Sequence, residues 1–384
     1  MDIGAILDRH AAAAGTLTPQ QRRVVADLSR CRTAALGGWL EECSACGHQH
    51  YHYYSCRNRH CPRCQASRRA AWLEREAALL LPVEYHHVVF TLPAGLAALA
   101  RQRPRLVYNL LFAAASASVL ALAAEPKYLG AQVGLVAVLH TWGQTLSLHP
   151  HLHVLATGGG LSCNRRGEVD QEPSWVSCRP GFFLPVRVLS RLFRGKYLSA
   201  LRQALQAGPW PVAEGLSGPE DLSAWLGELY GQEWVVYSQP PAAGPEVVLK
   251  YLARYVQRVA ISNSRLVAVT DETVTFTYKD YRQGGREKEL TLSGAAFTRR
   301  YLQHVLPRGL VRVRHYGLLA NRCRQSKLAC CRRLLGVVVL VRLALVVAEP
   351  VCCGVCGEGW MQVVQVLPRA ELLEVGWPLG EDSS

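Results

Sequence analysis

Three groups of residues in this chain have types and spacings that can do chemistry. The first is Cys43-x2-Cys46 followed, fourteen residues on, by Cys61-x2-Cys64. Two residues between thiols let both sulfurs face one tetrahedral ion, and two such pairs make a four-cysteine structural zinc site of the ribbon kind. Four free thiols would leave this segment, poor in aliphatic residues, without a core. Cys31, Cys56, His48, His50, His52 and His60 lie close enough to exchange with any of the four. The interleaving of Tyr51, Tyr53 and Tyr54 with Arg57, Arg59, Arg63, Arg68 and Arg69 suits base stacking and phosphate contact, or simply a solvated basic face.

The second group is His151-Leu152-His153 at the start of a strand, where a period of two puts both imidazoles on one face and the leucine on the other. His140, on the strand before, faces them across an antiparallel hairpin if opposed residue numbers sum to 291 or 293, a register whose turn centres on residues 145 to 147. Gln144 and His149 compete for the third place, and Pro150 ranks His149 lower because it breaks the strand between His149 and His151. A lone His-apolar-His is usually structural. A third histidine, ahead of a glycine run (158 to 160) that opens space for a ligand, points instead to a three-ligand metal with an open position, which is the arrangement of a catalytic ion.

The third group lies in EVVLKYLARYVQRV, where Val248, Tyr251, Leu252, Tyr255, Val256 and Val259 share one helix face. Taken alone, Tyr251 and Tyr255 are core residues. Taken with the histidines they become candidate nucleophiles, because a helix packed on the sheet face that bears His151 and His153 would point its phenols at the metal, and a phenol of pKa ~10, a poor nucleophile at neutral pH, can attack when a divalent ion neutralises the target phosphate. Lys250, Arg254 and Arg258, at steps of four on the other side, suit a phosphate backbone running beside the helix.

The elements that must position these groups belong to a folded chain of 384 residues, two or three packed units in length. With 49% apolar and 19% charged residues, disordered and collagen-like classes are excluded. Forty-three Lys and Arg against 29 acids give a net charge of +14 and a pI near 9.3, which favours a nucleic-acid partner. Twelve of the fourteen cysteines fall in two sets of six, Cys31 to Cys64 and Cys323 to Cys356, the pattern of metal sites rather than of a disulfide framework. The apolar runs Leu110 to Ala124 and Gly336 to Ala348 are shorter than the ~20 residues that span a bilayer, so no transmembrane helix is expected. The acid at the second position and the lack of a basic n-region predict a cytoplasmic protein.

Strands are predicted at Tyr85 to Leu92, Gly134 to Trp142 and His151 to Thr157, the last two as a hairpin, with short strands at Thr273 to Tyr278 and Glu289 to Leu292. Helices are predicted at about 95 to 124, at Leu184 to Ala207 and at Glu246 to Val259. This is an α+β plan with one antiparallel sheet covered on one face. It divides into a zinc-binding unit over 1–80, a catalytic unit over 81–320 with an insertion at about 160–245, and a basic, cysteine-containing region over 321–384. In the last, Cys353-x2-Cys356 is a single knuckle that Cys323, Cys330 or Cys331 would have to complete.

With these residues in view, the chain resembles rolling-circle insertion-sequence transposases of the IS91 type, in the two-tyrosine class of HUH endonucleases. The resemblance rests on CRTAALGGW (31 to 39), SCRNRHCPRCQ (55 to 65), HVVFTLPAGL (87 to 96), HTWGQTLSLHPHLHVLATGGG (140 to 160), KYLARYVQRVAISNSRL (250 to 266), YKDYR (278 to 282) and RHYGLLANR (314 to 322). It implies an RRM-like palm, structural Zn in an N-terminal transposase zinc-binding domain, and catalytic Mg or Mn. It also implies cleavage and rejoining of single-stranded DNA at element ends and target through a 5′-phosphotyrosine intermediate. Carried over by position, His151 and His153 become the metal ligands, His140 a less firmly matched third, and Tyr251 and Tyr255 the nucleophiles. Two readings compete with this: a nuclease that activates water, and a zinc-ribbon nucleic-acid binder or decayed transposase copy without catalysis.

Overall fold

The computed structural model describes residues 2–64, 72–208, 216, 218–242, 247, 259–337 and 351–369. Its centre is an antiparallel sheet in the order β11 (Val313–Gly317), β4 (Ala131–Trp142), β5 (Leu148–Ser162), β3 (Tyr85–Thr91), β7 (Val236–Ala242), with β6 (Trp175–Ser177) paired to the far end of β5. Alternation along these strands sorts the side chains by face. Val88, Phe90, Leu135, Ala137, Leu139, Leu152 and Val154 all lie in one core. Among the described residues, four helices contribute to it: α3 (Ala97–Gln102), α4 (Pro104–Ala124), α5 (Val186–Gln206) and α6 (Pro219–Gly231). On the opposite face Val136, Val138 and Leu155 pack with Leu318, Leu319 and Leu328, the last from α8 (Arg324–Leu334). The strand ends beyond them carry the histidines.

The helix expected over 95 to 124 is two helices, α3 (Ala97–Gln102) and α4. The break falls at Arg103 (φ −126°, ψ 57°), because Pro104 disfavours helical backbone in its predecessor and is itself well placed at the first position of a helix. By length and composition α4 would be able to cross a membrane, yet Val107, Leu111, Phe112, Ala115 and Val119 are fully buried in the core. The basic helix of the expected insertion, α5, also belongs to this core through Leu189, Phe193 and Leu201.

β5 runs straight through the glycine run that was expected to open space for a ligand. A Cβ at Gly158 would lie 2.7 Å from the Glu84 carbonyl oxygen, one at Gly159 2.6 Å from that of Val176, and one at Gly160 2.2 Å from that of Gln132. The glycines let neighbouring backbones approach β5, so their role is packing.

A second core joins the N-terminal helices to residues 260–305. α1 (Ile3–His10) and α2 (Pro19–Ser29) contribute Ile3, Leu7, Val24 and Leu28, which pack with Phe276 of the sheet β10 (Arg286–Ser293), β9 (Thr273–Asp280), β8 (Leu266–Val269) and with Phe297 and Tyr301 of α7 (Gly294–Leu302). A third sheet has the order β12 (Met361–Leu367), β1 (Gly38–Cys43), β2 (Gln49–Tyr53). Residues 3–64 therefore share a core with residues 260–305, and β1 shares its sheet with residues 361–367.

Candidate metal centres

The β4–β5 hairpin sets the histidine site. His140 pairs with His151 and Val138 with His153, a register in which opposed numbers sum to 291, as the first of the two expected registers requires. The tip, Gly143 to Ser147, is closed by the Gly143 amide donating to the Ser147 carbonyl at 2.9 Å. Leu146 sits there with φ 60° and is fully buried in the second core. Arg265, Arg300 and Gln303 hold the tip through the carbonyls of Gln144, Thr145 and Leu146. The second core thus fixes the turn of the hairpin that carries the histidines.

One ring nitrogen each from His140, His151 and His153 lies within 4.8 Å of the others. The ring centroids are 4.5 Å apart for His140 and His153, 5.0 Å for His151 and His153, and 5.5 Å for His140 and His151. His140 is buried and stacks on Trp142. Neither rival takes the third place: the Gln144 Oε1 accepts from the Lys279 amide at 3.4 Å, and His149 is exposed, contributing its carbonyl instead.

Hydrogen bonds fix which nitrogens are available. His151 Nδ1 donates to the His149 carbonyl at 2.7 Å, leaving Nε2 with its lone pair. His153 Nδ1 lies 2.9 Å from His87 Nε2, and His87 Nδ1 lies 2.9 Å from Gln239 Oε1. An amide oxygen only accepts, so His87 carries its proton on Nδ1, its Nε2 accepts, and His153 Nδ1 donates, which again leaves Nε2 for a ligand. The reverse order would place a proton on His153 Nε2 and forbid ligation. Burial pushes the His151 and His87 imidazoles down to about 4, so both are neutral at pH 7. Three imidazoles with an outer hydrogen-bonded chain are a fitting donor set for a divalent transition metal. His87 and Gln239 were not among the expected site residues. The signal available was the pair His86-His87 in a predicted strand, with no means of placing it beside His153.

The cysteines regroup, which corrects the expected zinc set. Cys43, Cys46, Cys61 and Cys64 do not come together. Cys61 and Cys64 join Cys31 and Cys56, while Cys43 and Cys46 join Cys353 and Cys356, each set with its sulfurs within 4.8 Å. The physical reason is β2. The chain between Cys46 and Cys56 runs back along β1 from Gln49 to Tyr53, and five residues at ~3.3 Å each carry it to the other end of that strand. There the end of α2 presents Cys31, whose thiol is held far below its usual range by hydrogen bonding with Cys56, Cys61 and Cys64. Cys323, Cys330 and Cys331, the expected partners of the C-terminal knuckle, are in neither set.

Of the arginines expected to contact DNA, two are engaged inside the protein. Arg59 donates to the carbonyls of Leu310, Pro307 and Leu306 at 2.6, 3.0 and 3.3 Å. Arg63 pairs with Asp2, the cap of α1, and donates to the Cys31 carbonyl. Arg57 is exposed. Tyr251, Tyr255, Lys250, Arg254 and Arg258 lie outside the described residues.

Known proteins resemble the chain along most of its length. Residues 134–327, half of the chain and the span of the histidine hairpin, match the family described as "Putative transposase", and residues 5–92 match the transposase zinc-binding domain of the IS91 kind. The chain belongs to this transposase family. It is 51% identical over 327 residues to a protein of Sinorhizobium fredii named "Putative transposase y4qJ", covering 84% of this chain and 80% of that one. It is 29% identical over 325 residues to the transposase for insertion sequence element IS801 of Pseudomonas savastanoi, covering 82% and 73%. No solved structure matches it. The zinc-binding match and the two four-cysteine sets agree on structural zinc.

Proposed function

We propose that this protein is a rolling-circle transposase of the two-tyrosine HUH class, which cuts and rejoins single-stranded DNA at the element ends and target, with the central antiparallel sheet as an RRM-like palm. The observation that carries this reading is the convergence of His140, His151 and His153 on one side of the β4–β5 hairpin, within the span that matches the transposase family. The net charge of +14 suits a polyanionic substrate. On this reading residues 81–320 are the catalytic unit and the zinc-binding unit contributes to DNA recognition, with exposed Arg57 rather than Arg59 or Arg63 meeting phosphate.

A divalent ion bound by the three imidazoles supplies charge neutralisation at the scissile phosphate. Imidazole donors favour Mn over Mg, which prefers oxygen ligands. Tyr251 or Tyr255 is the nucleophile: its phenol oxygen bonds to phosphorus as it loses its proton, the P–O3′ bond breaks, and the 3′ oxygen leaves as a hydroxyl. The phosphodiester energy is kept in the 5′-phosphotyrosine, so rejoining needs no ATP. Two tyrosines four residues apart in sequence then serve two cleavages, or a cleavage and a strand transfer. Lys250, Arg254 and Arg258 line the backbone of the strand.

The test is incubation of the protein with single-stranded element-end DNA and Mn, followed by a denaturing gel. A protein-linked DNA band that chelation abolishes is the expected result. Cut DNA without linked protein would indicate a water-activated nuclease, and binding without cutting a nucleic-acid binder.

A further inference from the structure

The C-terminal knuckle repeats the N-terminal one in sequence and in geometry. Cys43-Ser44-Ala45-Cys46-Gly47 stands against Cys353-Gly354-Val355-Cys356-Gly357. In each the residue two beyond the first cysteine donates its amide to that cysteine's sulfur at 3.4 Å. In each the glycine after the second cysteine donates to the first cysteine's carbonyl, at 3.1 and 2.9 Å. Both glycines hold left-handed backbone, φ 68° at Gly47 and 72° at Gly357, which a residue with a Cβ adopts only with strain. Turns of this kind aim two sulfurs and their amide dipoles at one point, the form of a zinc knuckle.

The two knuckles face one another. Cys43 Sγ is 3.6 Å from Cys356 Sγ, and Cys46 Sγ is 3.9 Å from Cys353 Sγ. Around them the two ends of the chain are fitted closely. The Ser44 amide donates to the Trp360 carbonyl at 3.0 Å, and the Trp360 amide to Ser44 Oγ at 3.1 Å. β12 continues antiparallel along β1, with Cys43 opposite Met361 and Gly38 opposite Leu367. A Cβ at Gly359 would lie 2.4 Å from Cys43 Sγ, and one at Gly37 2.6 Å from the Leu367 carbonyl oxygen. Only glycine at these positions lets the C-terminal chain lie so close over the N-terminal one.

We propose that residues 38–53 and 351–367 form one zinc ribbon split between the two ends of the chain, holding a zinc ion of its own through Cys43, Cys46, Cys353 and Cys356, separate from a second zinc at Cys31, Cys56, Cys61 and Cys64. The matched zinc-binding domain, residues 5–92, contains only half of this ribbon's ligands, and the other half arrives from more than 250 residues downstream. Four thiolates and no open position make the ion structural. Because it ties together Cys46 and Cys353, 307 positions apart, it belongs to the class of metal clips that restrict the unfolded chain most. The ribbon cannot form before the C-terminal strand is present, so the protein completes its N-terminal unit last.

The test uses the full-length protein purified with zinc, whose cysteines are expected to hold about two ions per chain. Zinc is withdrawn by graded addition of a chelator, with pulsed alkylation and peptide mass spectrometry at each step. Cys43, Cys46, Cys353 and Cys356 should become reactive together, and Cys31, Cys56, Cys61 and Cys64 as a second set. Alkylation of Cys353 and Cys356 in the zinc-replete protein, or release of Cys43 and Cys46 together with Cys61 and Cys64, would overturn the proposal. Soluble variants give an independent check: C43S/C46S and C353S/C356S should each lose one zinc, and their combination still only one. A combined loss of both ions would place the two pairs on different sites.

Discussion

His140, His151 and His153 were legible in the sequence because strand alternation and hairpin register are arithmetic, and the observed sum of 291 satisfies that arithmetic. His87 was not, since its contact with His153 is a diagonal across β3 and β5 between residues 66 positions apart. Gln239 is a further 152 positions from His87 and reaches it only because β7 lines the other edge of β3. On the proposed reading these two residues would position His153 as a ligand without being ligands themselves. Outer-shell partners of this kind typically affect metal affinity by about 10- to 100-fold. His87→Ala should therefore weaken Mn binding, followed by electron paramagnetic resonance of the free ion, by a factor in that range while the protein stays folded. His87→Gln keeps an acceptor for the His153 Nδ1 proton and should recover most of the loss. Equal affinity in wild type and His87→Ala would mean that the chain from Gln239 does not orient His153. The arginines teach the converse: Arg59 and Arg63 looked like a DNA face because charge patterning says nothing of which carbonyls or carboxylates a guanidinium will meet after folding.

At the scale of elements, the predicted strands and the α5 helix appear within a few residues of their expected limits, because period-two and period-3.6 patterns survive tertiary context. The zinc grouping failed for lack of one element. Cys-x2-Cys spacing predicts pairs well, but which pairs share an ion depends on whether the fourteen residues between them hold a strand, and here β2 carries the second pair away from the first. The β4–β5 tip shows how elements cooperate. Leu146, buried in the core built by α1, α2, α7 and β9, ties the histidine hairpin to a different part of the molecule. Leu146→Ala removes that anchor and leaves a cavity, which in buried sites costs about 2–5 kcal/mol. Thermal denaturation should show a fall of several degrees, and Mn affinity should weaken with it. An unchanged melting temperature would mean that the tip is held by Arg265, Arg300 and Gln303 alone.

At the scale of the whole molecule, the return of the C-terminal segment to the N-terminal sheet was beyond sequence reading, since hydrophobic patterning carries no information on pairings 300 residues apart. The buried junction between the two halves also makes stability depend on pH. His304, enclosed between Thr141 and the Leu146 carbonyl, is pushed by burial down to about 4, and His60, beneath Leu306, to about 3. Both have folded pKa values below the ordinary ~6.5, so below that pH the unfolded chain binds more protons than the folded one. Stability should hold level above pH 6.5 and decline between pH 6.5 and 4, by roughly 3 kcal/mol for His304 alone. Melting temperatures of wild type and His304→Gln across this range should converge as pH falls, and parallel curves would contradict the assignment. The central claim, cleavage through a phenol, is tested most directly by Tyr251→Phe/Tyr255→Phe, which keeps both rings and deletes only the hydroxyls. With Mn and single-stranded element-end DNA on a denaturing gel, the wild type should yield a protein-linked strand, and the double variant should yield neither adduct nor cut DNA while still binding the strand. Continued cutting by the double variant would contradict the account.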